Sequence, residues 1–455
     1  MEMVLEFLRD VLSQPALLIG IMSCIGLIAL KRPFHKVMTG TLKPILGYLM
    51  LAAGAGVIVN NLDPLGKMIE HGFHITGVVP NNEAIVAVAQ KVLGVETMSI
   101  LVVGLLMNLC IARFTKFKYV FLTGHHSLFM ACLMSAVLGT AGLSGMELIL
   151  VGGFLMGAWS AISPAIGQSY TSKVTDGDEI ALGHFGSLGY YLSAWVAKYV
   201  GKAEDSTEDI EIPEKWGFLR DSTLSTALTM IVFYLIAAIA AGSEFVATLS
   251  GSMSPYLFAI MSAMNFAVGV AIVYSGVRMI LGDLIPAFQG IATKIIPNAI
   301  PAVDCAVFFT YAPTAVVLGF ISSFIGGIIG MLILGAVGGV LIIPGLVPHF
   351  FCGATAGIYG NATGGRRGAA VGAFLNGLAI TFLPALALPV LGQLGFQNTT
   401  FGDADFAVMG LVLGHAFEWI GMAGIYGIVA IAALVLIIPN FIKTKGKVIN
   451  YVEEE

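Results

Sequence analysis

The chain is 455 residues long, and 57% of these residues are hydrophobic while only 11% are charged. Ordinary soluble domains carry about 25% charged residues, so this composition excludes a soluble globular protein. A mean hydropathy of +0.92 requires many apolar stretches, and crossing a ~30 Å hydrocarbon layer takes about 20 apolar residues. The formal net charge of -5 argues against a nucleic-acid partner. The sequence therefore predicts a polytopic membrane protein.

The apolar stretches predict helices. Backbone groups in lipid must be hydrogen-bonded internally, and the stretches lack the short alternating pattern of a membrane barrel. We predict an all-α fold with about eleven transmembrane helices. The predicted spans, in chain order, are 12–31, 41–60, 97–113, 119–142, 146–167, 224–248, 255–281, 313–336, 340–362, 367–393 and 421–442.

The first half of the chain, 1–167, contains five of these spans. Residues 64–96 are too polar and broken for a normal span. We interpret them as an amphipathic piece, Pro64 to Phe73, followed by a re-entrant hairpin near 78–96. The acidic start of the chain, Met1 to Asp10, lacks the basic region of a signal peptide, so we expect no cleaved leader.

Residues 168–223 form a soluble-looking stretch with many charged residues. We predict a cytoplasmic loop with an amphipathic helix there, and a solvated connector is the alternative. The second half, 224–442, repeats the plan with six spans and a second re-entrant hairpin near 295–312. Residues 443–455 are predicted to be a cytoplasmic tail.

Basic residues set the predicted orientation, because cytoplasmic loops carry an excess of lysine and arginine. Lys31 and Arg113 mark cytoplasmic ends of spans, and Arg366 and Arg367 mark the cytoplasmic start of the tenth span. This rule places the N-terminus outside and the lysine-rich C-terminus in the cytoplasm. It also places the acidic loop 403–405 outside.

A short internal echo suggests two related halves. Residues 78–89 read VVPNNEAIVAVA, residues 295–306 read IIPNAIPAVDCA, and both follow an amphipathic stretch. Hairpins that enter from opposite faces and meet at the membrane midplane are typical of the inverted repeats of transporters. We therefore predict an inverted repeat of two five-helix halves.

Carboxylates inside apolar runs are expensive in a membrane and indicate a functional site. Asp304 lies in such a run, AIPAVDCAVFF. Its alternative role is to cap the N-terminus of a half-helix. Glu83 and Asn82 follow Pro80 in the first predicted hairpin, where a loop cap is the alternative.

Histidines near span ends are further candidates. His125 and His126 open the fourth span in LTGHHSLFM, with a merely interfacial position as the alternative. His184 lies in DEIALGHFGSLGYYL, a glycine-flanked apolar run that we expect to turn back towards the site. His349, in GLVPHFFCGATAGIYGN, has small neighbours that permit close approach of a ligand.

The sequence motifs do not indicate metal or covalent chemistry. The five cysteines are far apart in apolar segments, and none has the spacing of a zinc site. No phosphate-binding loop, nucleophile elbow or zinc-protease motif occurs. We expect no metal, no cofactor and no catalytic residue in this chain.

Several longer strings in the right order resemble a known family. They resemble the ascorbate-specific membrane component, EIIC, of the bacterial phosphoenolpyruvate-dependent phosphotransferase system, over nearly the whole chain. The strings are KPILGYLMLAAGAG, FLTGHH, KVTDGDEIALGHFGS, GVRMILGDLIPAFQGI, KIIPNAIPAVDCAVFFTYAPTAVVLGF and LIIPGLVPHFF.

The resemblance implies a homodimeric carrier of the bacterial inner membrane, in which a core domain moves against a scaffold domain in an elevator mechanism. The substrate would be ascorbate or a closely related sugar or sugar acid. It would be phosphorylated by a separate cytoplasmic EIIB protein, which works with EIIA. Within the family's site, His184 and Asp304 match, and His125 keeps its place.

Three positions depart from what the resemblance implies, namely glutamine at 129 and 185 and tyrosine in the first hairpin. Here they hold Phe129, Phe185 and Glu83. Replacing two amides by rings removes hydrogen bonds that a polyhydroxylated ligand needs. An acidic Glu83 facing anionic ascorbate is unfavourable unless it is paired or protonated. Either the site is rewired or the ligand differs. The predicted substrate-binding residues are Asn82, Glu83, His125, Phe129, His184, Phe185, Asp304 and His349.

Two other classes of function stay open. An ion-coupled secondary transporter of a small organic solute would use Asp304 and Glu83 as proton or cation sites. A membrane receptor or scaffold would bind a soluble partner on 168–223.

Overall fold

In the computed structural model the chain is mainly helical, and the structure describes residues 11, 14–74, 77–80, 82–177, 180–210, 222–392 and 399–441. The helices are α1 (Pro15–Ala29), α2 (Phe34–Phe73), α3 (Asn82–Phe114), α4 (Gly124–Thr140), α5 (Gly145–Val174), α6 (Ser187–Val200), α7 (Ser222–Ala241), α8 (Ser243–Ser250), α9 (Pro255–Lys294), α10 (Pro313–Ala336), α11 (Leu346–Gly392), α12 (Ala404–Ile420) and α13 (Met422–Phe441). The strands are β1 (Val79–Pro80), β2 (Tyr119–Phe121), β3 (Ala181–Leu182), β4 (Ile300–Val303) and β5 (Thr399–Thr400).

The membrane class predicted from the composition is confirmed. Within the described parts of the chain, 7 helices are long and apolar enough to cross a membrane, or 8 if the bent pair of α7 and α8 is one span. The protein is therefore a multi-pass helical membrane protein. The number of eleven spans and the inverted repeat stay predictions.

Several helices are longer than the sequence predicts, and α2 and α9 are examples. α2 and α9 have 40 residues each, which at 1.5 Å per residue is about 60 Å, roughly twice the hydrocarbon thickness. The amphipathic piece predicted at Pro64 to Phe73 is the last part of α2, which continues through Pro44 and Pro64. α9 likewise passes the predicted span end at 281 and reaches Lys294.

The helices pack as two groups. The α2 group consists of α1, α2, α7, α8 and α9, and the α11 group consists of α3 to α6 and α10 to α13. The paired strands β2, β4 and β3, with the residues that directly follow them, are counted with the α11 group because β2 and β3 pack on α5. In the α2 group, α2 and α9 pack backbone to backbone, because a Cβ on Gly54 would lie 2.7 Å from the Gly269 carbonyl oxygen. Such close packing of small residues replaces the hydrophobic driving force that is missing in lipid.

In the α11 group, α11 packs against α10 and α6, and α3 packs against α4 and α5. α11 is broken at Gly365, which has φ 59° and ψ -151°. The break lies between the predicted ninth and tenth spans. Next to it, the backbone N–H of Arg366 donates to the carbonyl oxygen of Asp205 at 2.8 Å, so 201–210 packs against this break.

Extended segments stand where the sequence predicts re-entrant hairpins. In the first region, 78–96, β1 leads into the long helix α3, which also contains the predicted third span. In the second region, 295–312, β4 is followed by Asp304 and a 3₁₀-helix, Cys305–Thr310. The assignment of these regions to re-entrant hairpins stays a prediction.

The strands pair in parallel across long sequence distances. β4 lies between β2 and β3, with Tyr119 opposite Ile300 and Ala181 opposite Ala302. β1 pairs with β5, with Val79 opposite Thr399. The hydrophobic periodicity did not predict these strands, because each has only two to four residues.

Much of the predicted cytoplasmic loop, 168–223, packs into the α11 group. α5 continues to Val174, β3 joins β4, and α6 buries Tyr190, Tyr191 and Ala194. The alternative of a solvated connector is therefore wrong for 168–175 and 180–200, whereas most of 201–210 is exposed. Residues 178–179 and 211–221 of the stretch, and the predicted tail 443–455, lie outside the described residues.

The close packing of α2 on α9 can be tested with alanine. In Gly54→Ala, the new Cβ lies 2.7 Å from the Gly269 carbonyl oxygen and 2.8 Å from the Val273 nitrogen. These are backbone atoms, so the helices must separate, and overpacking costs about 1–3 kcal/mol. We expect a lower melting temperature in detergent. The matched control is Gly56→Ala on the same helix, where the Cβ meets nothing within 4 Å; equal melting temperatures for the two variants would contradict the close packing.

Candidate functional site

The main candidates meet because three parallel strands end on the same side. His125 follows β2 by four residues, Asp304 directly follows β4, and His184 follows β3 by two residues. The pairing continues past the strands: Gly183 N–H donates to the Val303 carbonyl oxygen at 2.7 Å. A Cβ on Gly183 would lie 2.4 Å from the Ala302 carbonyl oxygen, so glycine permits the close approach that brings His184 to Asp304.

Asp304 is held by two groups and is buried. Its Oδ1 accepts the backbone N–H of Ala306 at 3.1 Å, and its Oδ2 lies 3.3 Å from His125 Nε2. The capping role considered for Asp304 is therefore present, at the start of the 3₁₀-helix, and the second oxygen still faces the imidazole. His125 Nδ1 lies 3.0 Å from the hydroxyl oxygen of Tyr48 on α2.

His184 is a neutral imidazole with a defined tautomer. Its Nδ1 accepts the backbone N–H of Gly186 at 3.1 Å and the hydroxyl of Tyr190 at 2.9 Å. An accepting nitrogen carries no proton, so the hydrogen is on Nε2. Asp403 Oδ1 lies 3.8 Å from the same Nδ1. This separation exceeds hydrogen-bond distance, and the Nδ1 carries no hydrogen to donate to Asp403.

His126 has the same arrangement. Its Nδ1 accepts the backbone N–H of Phe185 at 3.3 Å, so its Nε2 carries the hydrogen. Its ring centroid lies 3.8 Å from that of His184, and its other face stacks on Phe406 at 5.7 Å. The two buried histidines therefore supply Nε2–H donors, while the carboxylates of Asp304 and Asp403 supply acceptors.

Asp403 belongs to this cluster, although the sequence predicts it in an external loop. Asp403 is 5% exposed and Asp405 is 0% exposed, so both acids are buried in the protein. The placement of 403–405 on the outer side of the membrane stays a prediction. Asp403 accepts hydrogen bonds from Asn82 Nδ2 at 2.6 Å and from the Cys352 thiol at 2.9 Å. Asn82 in turn accepts the backbone N–H of Gly402 at 2.9 Å, which ties the start of α3 to the start of α12.

Asp405 fixes the loop that carries His184. It accepts the backbone N–H of Leu188 at 2.9 Å, the hydroxyl of Ser187 at 2.7 Å and the indole N–H of Trp159 at 3.2 Å. Its own backbone N–H donates to the Phe185 carbonyl oxygen at 2.9 Å. Three donors compensate the desolvation of a buried carboxylate, and the start of α6 is thereby held in place.

Aromatic rings surround the histidines. Phe129 lies edge-on to His125 at 5.8 Å and beside His126 at 5.7 Å. Phe185 stacks on Phe121 at 4.6 Å and meets Phe406 at 5.7 Å. The two rings that replace the expected amides therefore lie beside the polar cluster, where they offer apolar surface in place of hydrogen bonds.

Two predicted site residues, His349 and Glu83, are not seen at the cluster. The ring of His349 faces α10, where its Nδ1 lies 2.9 Å from the Ser323 hydroxyl and its edge meets Phe324 at 5.9 Å. The structure therefore does not bring His349 to Asp304. The side chain of Glu83 lies outside what the structure describes.

The cluster fits hydrogen bonding better than metal binding. Two buried sets of possible ligand atoms lie within 4.8 Å of one another, namely His126, His184 and Asp403, and His184, Asp304 and Cys305. However, the Nδ1 atoms of both histidines already accept backbone N–H groups. Binding a metal at Nδ1 would orphan these donors, and binding at Nε2 would move a proton onto Nδ1 towards them.

A small cavity adjoins the cluster between the two helix groups. Tyr48, Leu51 and Ile280 line it from the α2 group, and Thr123, Val303 and Asp304 line it from the α11 group. Asp304 therefore faces the interface between the groups. The sequence reasoning missed Tyr48, Tyr190, Asp403 and Asp405. The available signals were the polar aromatic side chains of the two tyrosines in apolar runs and the closeness of the two acids in the sequence.

The comparisons with known proteins agree with this picture. Residues 10–405 match the family EIIC-GAT, described as PTS system sugar-specific permease component. The chain belongs to this family. PTS denotes the phosphotransferase system, so the family resemblance predicted from the sequence is confirmed. The matched range includes the strand ends and both acids of the cluster.

A curated relative is the "Ascorbate-specific PTS system EIIC component" of Mycoplasma pneumoniae (strain ATCC 29342 / M129). The two sequences are 27% identical over 417 residues, which cover 78% of this chain and 62% of the relative. The chain thus matches less than two thirds of the length of that protein.

The role of Asp304 can be tested by removing its charge. Asp304→Asn keeps the volume but turns one oxygen into a donor that faces the Nε2–H of His125 or the N–H of Ala306. Charge-assisted hydrogen bonds contribute about 1.5–3 kcal/mol each, so we expect ligand binding to weaken roughly tenfold or more. His184→Ala should have a similar effect. Binding of radiolabelled ascorbate to the purified protein measures both, with Tyr234→Phe as the control, because the Tyr234 hydroxyl donates to the Asn61 carbonyl oxygen away from the cluster. Unchanged affinity in a folded Asp304→Asn protein would leave Asp304 only as a helix cap.

Proposed function

We propose that this protein is the membrane carrier of a bacterial phosphotransferase system and transports L-ascorbate or a closely related sugar or sugar acid. The observation that carries this proposal is the convergence of His125, His184 and Asp304 at the ends of three paired strands. A polyhydroxylated ligand needs donors and acceptors that converge on one point, and these residues supply both. The family membership and the name of the Mycoplasma relative support the substrate class.

The proposed ligand site combines a few placed polar groups with apolar walls, as small-molecule sites do. The Nε2–H groups of the histidines would donate to ring or hydroxyl oxygens, and Asp304 would accept from ligand hydroxyls. Phe129 and Phe185 would cover apolar faces of the ligand. Asn82, Glu83 and His349 remain part of the proposed site.

The division into two helix groups supports a carrier that works by rigid-body motion. We propose that the α11 group is the core domain, which holds the substrate, and that the α2 group is the scaffold domain. Substrate would enter between them, where the cavity beside Asp304 lies. The core would then move against the scaffold as in an elevator, and the scaffold would form the interface of a homodimer.

Phosphorylation is assigned to partner proteins. We propose that a cytoplasmic EIIB protein, supplied by EIIA, transfers the phosphoryl group to the substrate, so that this chain acts as the carrier and supplies no catalytic residue. The exposed segment 201–210 beside the break in α11 is a suitable docking region on the cytoplasmic side. The proposed location is the bacterial inner membrane, with the N-terminus outside and the C-terminus in the cytoplasm.

The proposed architecture has about eleven spans in an inverted repeat of two five-helix halves. The equal lengths of α2 and α9 support this repeat. Each of these 40-residue helices precedes one of the two similar sequence boxes, 78–89 and 295–306. Both boxes contain a short strand, β1 in the first and β4 in the second.

A second function has a specific observation in its favour. Asp304 and Asp403 both lie within 4 Å of a histidine nitrogen, and buried carboxylates beside histidines are typical of proton or cation sites in membrane transporters. An ion-coupled secondary transporter of a small organic solute would use them in this way.

The orientation can be tested by cysteine labelling. Asp205 is exposed beside the break in α11, and the positive-inside rule places it in the cytoplasm. We expect Asp205→Cys to resist a membrane-impermeant maleimide in intact cells and to react after lysis, with the parent chain as the background. Labelling of intact cells would overturn both the orientation and the docking region.

The coupling can be tested in cells by deleting EIIB. Since the phosphoryl group comes from the partner, we expect the deletion to abolish accumulation of phosphorylated product while the carrier remains in the membrane. The control is re-expression of EIIB from a plasmid. Full accumulation of unmodified substrate, driven by a proton or sodium gradient without EIIB, would favour the secondary transporter.

A further inference from the structure

Tyr48 reaches the site from the other helix group. It lies on α2 and is 6% exposed, and its hydroxyl oxygen lies 3.0 Å from Nδ1 of His125 on α4. His125 in turn faces Asp304 through Nε2 at 3.3 Å. The contact therefore links the α2 group to Asp304 through one imidazole ring.

The direction of the hydrogen bond follows from the carboxylate. Ionised Asp304 Oδ2 can only accept, so it favours a hydrogen on the His125 nitrogen that faces it, Nε2. Their separation of 3.3 Å is longer than the ~2.7–2.9 Å of a strong charge-assisted hydrogen bond, so the partner on Nδ1 also decides the tautomer. In the neutral ring Nδ1 is then the acceptor, and the Tyr48 hydroxyl donates to it. Tyr48 thus favours the tautomer that presents N–H towards Asp304.

His184 also has a tyrosine hydroxyl on its Nδ1, but this tyrosine belongs to the same helix group. Tyr190 of α6 lies 2.9 Å from His184 Nδ1, beside the backbone N–H of Gly186. His184 thus has two donors on Nδ1, and both come from its own neighbourhood in the α11 group. His125 Nδ1 is instead contacted by the hydroxyl of Tyr48, so the tautomer of His125 depends on a residue of the other group.

We propose that Tyr48 is a positioning residue of the ligand site, which sets the Nε2–H tautomer of His125 when the two helix groups are docked as in this structure. This inference rests on the proposed function only for the identity of the ligand. In this proposal the ligand affinity depends on whether the two helix groups are docked. When the α11 group moves away from α2, His125 Nδ1 loses the Tyr48 hydroxyl as its donor. The Nε2–H that faces Asp304 is then no longer fixed.

The alternative is that Tyr48 only packs. Its ring lies beside Leu51 and Ile280 at the cavity, and phenylalanine would keep that packing. Tyr48→Phe therefore removes the hydroxyl alone. The matched control is Tyr234→Phe in the same helix group, since the Tyr234 ring is fully buried and its hydroxyl donates to the Asn61 carbonyl oxygen, away from His125.

The first experiment reads the tautomer directly and needs no ligand. Full-length protein with ¹⁵N-labelled histidine is placed in lipid nanodiscs, and the ring nitrogens are observed by NMR, with His125→Gln to assign His125. We expect a pure Nε2–H tautomer in the parent protein and in Tyr234→Phe, and a mixture of both tautomers in Tyr48→Phe. An unchanged His125 spectrum in Tyr48→Phe, or an Nδ1–H form in the parent, would overturn the proposal.

The second experiment reads affinity with L-ascorbate as the probe. A net hydrogen bond contributes about threefold to tenfold in affinity, so we expect Tyr48→Phe to weaken binding by that factor and Tyr234→Phe to leave it unchanged. In the background of His125→Gln, Tyr48→Phe should have no further effect. Equal losses in both backgrounds would overturn the positioning role. If the parent protein binds no ascorbate, the proposed substrate fails, and the tautomer measurement still decides the role of Tyr48.

Discussion

The site depends on parallel strand pairing inside a helical membrane protein. Irregular backbone at membrane depth is tolerated only where its N–H and C=O groups find partners. β2, β4 and β3 satisfy one another, so the chain can leave the helical state at three places and present side chains at one edge. Without this pairing, His125, His184 and Asp304 would belong to separate, unrelated segments.

The histidines show how a buried site fixes the positions of its imidazole protons. Backbone N–H groups and tyrosine hydroxyls occupy the Nδ1 atoms, which forces the hydrogens onto Nε2. The result is a set of oriented N–H donors beside acceptor carboxylates. Asp405 holds the same loop through three hydrogen bonds. A ligand would therefore meet a prearranged pattern, which reduces the entropy cost of binding.

The site also lies between the two helix groups. Asp304 belongs to the α11 group but faces a cavity partly lined by the α2 group. Within the α2 group, glycine contacts such as Gly54 with Gly269 keep α2 and α9 close. His125 lies where the two groups meet, in contact with Tyr48 of α2. Under the proposed rigid-body motion, this is the place where access to the cluster would change.

The sequence by itself determined the membrane class and the family, and it singled out Asp304 as a candidate, because composition, long strings and a carboxylate in an apolar run are local properties. It also pointed to His125 and His184. It could not determine that α2 and α9 each continue past their predicted span ends, because polar residues near a helix end look like a loop. The tertiary structure alone decided the burial of Asp403 and Asp405, the tyrosine hydroxyls at His125 and His184, and the position of His349. These features arise from pairing and packing between segments far apart in the chain, and no local periodicity records which distant segment will supply a hydrogen-bond partner.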